Sequence, residues 1–115
     1  MLVFVYGTLK TGYRLHAHMT GSRFLGEART EPLYRLFRID WFPGLVESLD
    51  GTGIRGEVWE VSASTLRQLD VVEEVDAGLY ERRVIRLAAP FNEMAVESYF
   101  FLGDVSDAED CGDCW

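Results

Sequence analysis

The start of the chain carries the feature that most constrains its fold, a continuous run of apolar, strand-forming residues at positions 2–6 that leads into Gly7. A half-exposed strand alternates apolar and polar residues, whereas a run without alternation is typical of a strand buried on both faces. The sequence therefore predicts a fully buried strand that ends in a turn, where free backbone N–H groups are available.

Further strand-forming segments follow, separated by turns rich in glycine, proline and aspartate. They occupy residues 24–29, 33–39, 54–61, 80–87 and 96–102. Residues 66–73 have the spacing of a helix instead. Six short strands and one main helix in about 100 residues predict an α+β fold, a small mixed β-barrel.

Length and charge exclude several classes of protein. The chain has 115 residues and a net charge of −8, so we expect one domain and no nucleic-acid partner, because phosphate binding needs a basic face. No apolar run approaches the roughly 20 residues that span a bilayer, and the N-terminus has neither the basic region nor the cleavage site of a signal peptide. We expect no membrane partner, a chain that begins inside its fold, and a soluble cytoplasmic protein.

The cysteines and histidines do not form a convincing metal site. Cys111 and Cys114 lie in an acidic segment; a Cys-x-x-Cys pair can be a redox motif or half of a zinc site, but this one follows no strand and opens no helix. No second pair accompanies them, and His16 and His18 have no third ligand in view. We expect a folded domain over residues 1–103, an acidic C-terminal tail over residues 104–115, and no metal or other cofactor.

The helix carries a carboxylate on its apolar side. Leu66, Leu69 and Glu73 are spaced by three and four residues, so they share one stripe of the helix. Burial and the negative end of the helix dipole both disfavour the anion of Glu73, and its pKa should be raised. Such a carboxylate is a candidate general base.

Other interpretations of this helix stay open. Ser62 and Ser64 are better explained as N-caps than as nucleophiles, since the sequence has no Gly-x-Ser-x-Gly motif, and Gly78 is the expected terminating glycine. Glu73 could belong to a solvated acidic face, or pair with Arg82 or Arg83. The other members of that face would be Asp70, Glu74 and Asp76.

Two separated motifs together resemble a known family. They are VYGTLK at residues 5–10 and LDVVE at residues 69–73, supported by GEVWEV at residues 56–61 and YER at residues 80–82. In this order they are similar to the gamma-glutamylcyclotransferase-like superfamily, most of all its gamma-glutamylamine cyclotransferase branch, over residues 1–102. The chain departs from the pattern at Glu74, where a glycine or small residue often follows the family glutamate, and in its Cys-containing tail.

The resemblance implies a six-stranded, barrel-like α+β fold whose cavity holds a gamma-glutamyl group. Members of the family release this group as 5-oxoproline without an enzyme nucleophile, because the α-amine of the substrate attacks its own γ-carbonyl. By position, Glu73 would be the proton acceptor, and Tyr6, Gly7, Thr8 and Leu9 would form the substrate-binding loop. The implied partner is a small gamma-glutamyl amine or amide, and the oligomeric state is not indicated.

Two other functions remain as alternatives. A non-catalytic module could use the same pocket to bind an acidic metabolite, and a relative could remove a gamma-glutamyl protecting group from a larger intermediate. The aromatic loop at residues 41–46 could either wall the cavity or plug the barrel end. Tyr80 and Tyr99 could place hydroxyl groups in the cavity or in the core.

Overall fold

The computed structural model describes residues 1–115 and contains eight strands and one α-helix. The elements are β1 (Leu2–Val5), a 3-10 helix (His16–Met19), β2 (Arg23–Arg29), β3 (Tyr34–Arg38), β4 (Pro43–Glu47), β5 (Arg55–Glu60), α1 (Ala63–Val72), β6 (Tyr80–Val84), β7 (Val96–Phe101) and β8 (Glu109–Asp110). Strands β2-β5-β1-β7-β6 form one sheet and β4-β3-β8 a second. The α+β class with one main helix is confirmed.

Strand β1 lies at the centre of the larger sheet, antiparallel to β5 and parallel to β7. Its residues alternate between two hydrophobic clusters. Val3 and Val5 pack with Leu66 and Leu69 of the helix, while Phe4 packs in the cluster on the other face. Because Val3, Phe4 and Val5 are at most 2% exposed, the predicted burial of both faces is confirmed.

Strand β4 was not expected, since Pro43 and Gly44 indicate a turn in the sequence. Proline is tolerated here because β4 is an edge strand and Pro43 is its first residue, so no ladder hydrogen bond is lost. Gly44 is required by packing, as a β-carbon there would lie 2.8 Å from Phe101 Cβ. The predicted loop at residues 41–46 is therefore corrected to a short turn followed by a strand.

The helix ends earlier than predicted. Ser62 is the N-cap and accepts a hydrogen bond from the Thr65 N–H at 3.1 Å, whereas Glu73, well before Gly78, is the C-cap. Glu74 adopts a left-handed φ of 54°. The next two N–H groups, of Glu74 and Val75, donate to the carbonyls of Val71 and Asp70. This is a Schellman motif with glutamate at the position that usually holds glycine.

The C-terminal segment contacts both sheets. Strand β8 pairs with β3, and Asp110 accepts a hydrogen bond from Arg35 at 2.9 Å. Asp113 accepts one from the Arg55 N–H through its backbone carbonyl at 2.8 Å. The Asp110 side chain is thus paired with a basic side chain, and the Asp113 backbone is hydrogen-bonded to the backbone of Arg55.

No helix in the structure has the length and apolar character needed to cross a membrane.

Candidate active site

A narrow pocket with a free volume of about 20 Å³ opens where β1 ends, enclosed by the turn that follows β1, the end of α1 and the β3–β4 connection. Eleven residues line it: Phe4, Val5, Tyr6, Gly7, Thr8, Leu9, Phe42, Pro43, Glu73, Tyr80 and Tyr99. The five residues singled out from the sequence therefore lie around one cavity. Their individual roles stay a prediction.

The turn after β1 presents free backbone donors. The Lys10 N–H donates to the Gly7 carbonyl at 3.0 Å, and the Leu15 N–H donates to the Thr8 carbonyl at 2.7 Å. In a trans peptide the N–H points away from the carbonyl of the same plane. The Gly7–Thr8 and Thr8–Leu9 peptide units are each held through their carbonyl, so the N–H groups of Thr8 and Leu9 point to the opposite side of the turn. Neither N–H group has a hydrogen-bond partner in the chain.

A histidine side chain braces the same turn. The Nδ1 atom of His16 lies 2.9 Å from the Leu9 carbonyl oxygen, and the His16 ring packs on Trp59 with centroids 5.3 Å apart. Since a carbonyl only accepts, Nδ1 must carry the proton in this contact. The turn is therefore held from outside the pocket as well as by its own backbone.

Gly7 is required by the opposite wall of the pocket. A β-carbon at this position would lie 2.6 Å from Pro43 Cγ, closer than non-bonded carbons approach. The turn and the first residue of β4 can therefore pack face to face only with glycine at position 7. Phe42 and Pro43 line the cavity, so the first of the two roles considered for residues 41–46, that of a wall, applies to these two residues.

Glu73 is placed by the end of α1 and points into the pocket without a counter-ion. Burial raises its pKa from an ordinary 4.5 to about 7. Neither arginine considered as a partner binds it: Arg82 pairs with Asp70 and Glu97, and Arg83 pairs with other carboxylates. Glu73 is only partly exposed, unlike Glu74 and Asp76, so it is not part of a solvated acidic face.

Three tyrosines complete the cavity, and each hydroxyl has a protein acceptor. Tyr6 donates to the Tyr99 carbonyl at 2.6 Å, Tyr80 to the Pro43 carbonyl, and Tyr99 to Asp70 Oδ1 at 2.7 Å. Burial raises the pKa of all three hydroxyls, and the nearby Glu73 adds to the effect. The three hydroxyl groups remain protonated at neutral pH, and their hydrogen bonds hold the tyrosine side chains in fixed positions in the pocket lining.

Asp70 and Arg82 support this site, and sequence reasoning missed their partnership. The Arg82 guanidinium binds both carboxylate oxygens of Asp70, at 2.8 and 3.1 Å, and Asp70 also accepts from the Tyr99 hydroxyl. The sequence does show an arginine in YER and acids in LDVVE that could form an ion pair. Nothing in the spacing distinguishes which acid the arginine selects.

Comparison with known proteins agrees with these features. The profile of the family described as gamma-glutamyl cyclotransferase, AIG2-like, matches residues 3–113. A Vibrio cholerae protein provisionally named a gamma-glutamylcyclotransferase is 39% identical over 98 residues, covering 85% of this chain and 81% of that one.

Solved structures show the same fold. The crystal structure of an AIG2-like protein from Mus musculus superimposes with a TM-score of 0.80 at 25% identity, covering 92% of this chain and 80% of that one. The solution structure of YtfP from Escherichia coli gives a TM-score of 0.74 at 28% identity and covers 100% of this chain and 96% of that one. The fold, the pocket and these matches agree, and the chain belongs to the gamma-glutamyl cyclotransferase, AIG2-like family.

Proposed function

We propose that the protein releases 5-oxoproline from a small gamma-glutamyl amine or amide, with Glu73 as general acid and base. The observation that carries the proposal is Glu73 itself, a carboxyl group that lines the pocket, has no counter-ion and has a pKa of about 7. A general base works best when its pKa is near the working pH. A carboxylate that served only the fold would have a counter-ion, as Asp70 does.

The reaction needs no enzyme nucleophile or water. Glu73 takes a proton from the α-ammonium of the substrate, and the free amine attacks the γ-carbonyl carbon to form a new C–N bond. In the tetrahedral intermediate the attacking nitrogen gives up its second proton as the bond to the original amide nitrogen breaks. The leaving nitrogen takes up both protons by way of Glu73 and departs as an ammonium ion. The products are 5-oxoproline and the free amine, and Glu73 returns to its starting state.

The turn after β1 is suited to stabilising negative charge on the substrate. The free N–H groups of Thr8 and Leu9 are suited to an oxyanion or to the α-carboxylate of the substrate. Their peptide planes are already anchored, so little reorganisation is needed, and one well-placed donor stabilises an oxyanion by about 3 to 4 kcal/mol.

The pocket also has to hold the chain of the substrate in the conformer that closes the ring. Tyr6, Tyr80 and Tyr99 give it walls whose hydroxyls are fixed by protein acceptors. Holding a reactive conformer contributes up to about 7 to 11 kcal/mol in intramolecular reactions.

The test is proton NMR of the purified protein incubated with a panel of gamma-glutamyl amines, amides and dipeptides. The proposal expects resonances of 5-oxoproline and of one free amine in equal amounts. The Glu73→Gln variant, purified in the same way, is the control for contaminating host enzymes. Glutamate as product would contradict the proposal, because it would mean that water and not the α-amine attacks.

A binding module would give a different result in the same tubes. Some compounds would show saturable line broadening with the wild type and with Glu73→Gln, and all would remain unchanged after long incubation. A binder of an anionic ligand gains nothing from an unpaired carboxylate in its pocket, which supports the enzyme over this alternative.

A further inference from the structure

The Cys-x-x-Cys pair near the end of the chain belongs to a tight turn. Cys111 directly follows β8, which corrects the expectation that the pair follows no strand. Gly112 and Asp113 form the turn, and Gly112 has a left-handed φ of 73°, which glycine adopts readily. The Gly112 N–H donates to Asp110 Oδ1 at 2.7 Å. The backbone between the two cysteines is therefore already folded back on itself.

This turn brings the two cysteines within reach of each other. The first and last residues of a four-residue turn have Cα atoms within about 7 Å. A disulfide joins residues whose Cα atoms are about 4.4 to 6.8 Å apart. Cys111 and Cys114 are free thiols, are partly exposed and line the same surface cavity. The geometry of the turn therefore suits a disulfide between them.

Both ends of the turn are fixed to the rest of the fold. The Cys111 N–H donates to the Leu36 carbonyl of β3 at 2.8 Å. At the other end, the Arg55 N–H of β5 donates to the Asp113 carbonyl at 2.8 Å. Because folding has already ordered this segment, joining the sulfurs costs less conformational entropy than in the unfolded chain.

Cys114 also contacts a residue that supports the pocket. The Lys10 ammonium group donates to Cys114 Sγ at 3.8 Å and to the Trp115 carbonyl at 3.3 Å. Lys10 is only 8% exposed, and its own N–H donates to the carbonyl of Gly7 in the pocket lining. The cysteine pair is therefore connected to the turn after β1 through one buried side chain.

We infer that Cys111 and Cys114 form a reversible disulfide, and that its formation withdraws the Cys114 sulfur from Lys10 and loosens the turn after β1. In the reduced protein Lys10 has two partners near the end of the chain. In the oxidised protein the Cys114 sulfur turns towards Cys111, and Lys10 keeps only the Trp115 carbonyl. This inference concerns a site outside the pocket and does not depend on the proposed function.

The oxidant is a small-molecule disulfide. Burial raises the pKa of the Cys111 thiol, so the Cys114 thiolate attacks first. This attack forms a mixed disulfide and releases one small thiol. The Cys111 thiolate then attacks the Cys114 sulfur and releases the second small thiol. Two protein thiols are thus oxidised, and one small disulfide is reduced to two thiols that carry away the two protons.

Equilibration of the purified protein with reduced and oxidised glutathione tests the disulfide itself. After an acid quench, mass spectrometry measures the fraction of chains that have lost two hydrogens. We expect the equilibrium constant for oxidation to be at least about tenfold larger in native buffer than in concentrated urea. Cys111→Ser and Cys114→Ser, the control variants, should form only mixed disulfides with glutathione. Equal constants in the two solvents, or a disulfide between two chains, would overturn the inference.

Lys10→Met tests the connection to the turn. Methionine keeps an unbranched buried side chain and removes the ammonium group, so the contact that favours the reduced pair is lost. The equilibrium constant for oxidation should rise about threefold. Arg67→Met, which removes an exposed cation on α1, is the matched control and should leave the constant unchanged. An unchanged constant in Lys10→Met would contradict the inference.

Amide hydrogen exchange of the wild type, followed by NMR, tests the same connection without a substitution at Lys10. Since coupling between two sites is reciprocal, the Lys10 amide should exchange about threefold faster in the oxidised than in the reduced protein. The double variant Cys111→Ser/Cys114→Ser, given the same oxidant, should show no such change. Equal exchange in the two forms of the wild type would overturn the inference. None of these measurements uses turnover, so a failure of the proposed function would be seen separately.

Discussion

Arg82 binds both carboxylate oxygens of Asp70 and leaves Glu73, near the end of the same helix, without a counter-ion. The two acids differ in environment more than in position. Asp70 accepts hydrogen bonds from two guanidinium nitrogens and one hydroxyl group, whereas Glu73 faces an apolar pocket that disfavours its anion. One acid therefore stabilises the fold, and the other is available for proton transfer.

Asp70→Asn should destabilise the protein by about 2 kcal/mol, because it removes charged hydrogen bonds and leaves Arg82 with Glu97 alone. The free energy of unfolding from urea denaturation measures this. Tyr99→Phe, which removes one hydrogen bond to Asp70, should cost about 1 kcal/mol. A change below about 0.5 kcal/mol for Asp70→Asn would mean that the pair contributes no more than a surface salt bridge.

The raised pKa of Glu73 should make stability depend on pH. The folded value of about 7 lies above the ordinary 4.5, so folding takes up a proton between these values. The contribution of Glu73 to stability is then largest below pH 4.5 and is lost as the pH rises to about 7. Glu73→Gln should therefore be more stable than the wild type at pH 8 by about 2 to 3 kcal/mol, and the difference should shrink towards pH 4.5.

Urea denaturation of both proteins at several pH values measures this difference. Glu74→Gln, which changes an exposed neighbour, should parallel the wild type at every pH. A difference between Glu73→Gln and the wild type that does not vary with pH would show that Glu73 has an ordinary pKa.

Glu74→Gly should stabilise the protein by about 1 kcal/mol. Glu74 holds a φ of 54° at the end of α1, a conformation that costs a residue with a β-carbon about 1 to 2 kcal/mol and costs glycine little. Glu74→Ala is the matched control, since it removes the carboxylate and keeps the β-carbon, and it should bring no comparable gain. Equal stabilities for the glycine and alanine variants would contradict the strain argument.

Gly7→Ala should damage the pocket by steric overlap. The new methyl group would lie 2.6 Å from Pro43 Cγ, so one wall must shift, at a cost of about 1 to 3 kcal/mol. Calorimetric thermal unfolding measures the loss, and the double variant Gly7→Ala/Pro43→Ala should recover part of it. No recovery in the double variant would show that Gly7 is needed for another reason.

The parts of the molecule that depend on local pattern could be predicted from the sequence. The unbroken apolar run identified the central strand, and the three-and-four spacing placed Glu73 on the side of Leu66 and Leu69. The prediction failed where tertiary contacts override local preference. Pro43 starts an edge strand although it usually marks a turn, and Glu74 ends the helix in a conformation that favours glycine.

The contacts of Arg82 and His16 that hold the site in place could not be predicted from the sequence, for a different reason. The sequence offers Arg82 two acids at the end of the helix, Asp70 and Glu73, and only the folded structure shows that the guanidinium pairs with Asp70. The bracing of the turn by His16 likewise depends on a contact across the fold, with Trp59 of β5. Such contacts join segments distant in the chain, and no local pattern encodes them.

The most direct test of the central claim is the rate of 5-oxoproline formation by Glu73→Gln relative to the wild type, on one substrate that the wild type converts. Glutamine keeps the size of the side chain and cannot accept the proton, so kcat should fall by about 10²- to 10⁴-fold while the substrate still binds. A Glu73→Gln variant with the wild-type kcat would contradict the assignment of Glu73 as the general base.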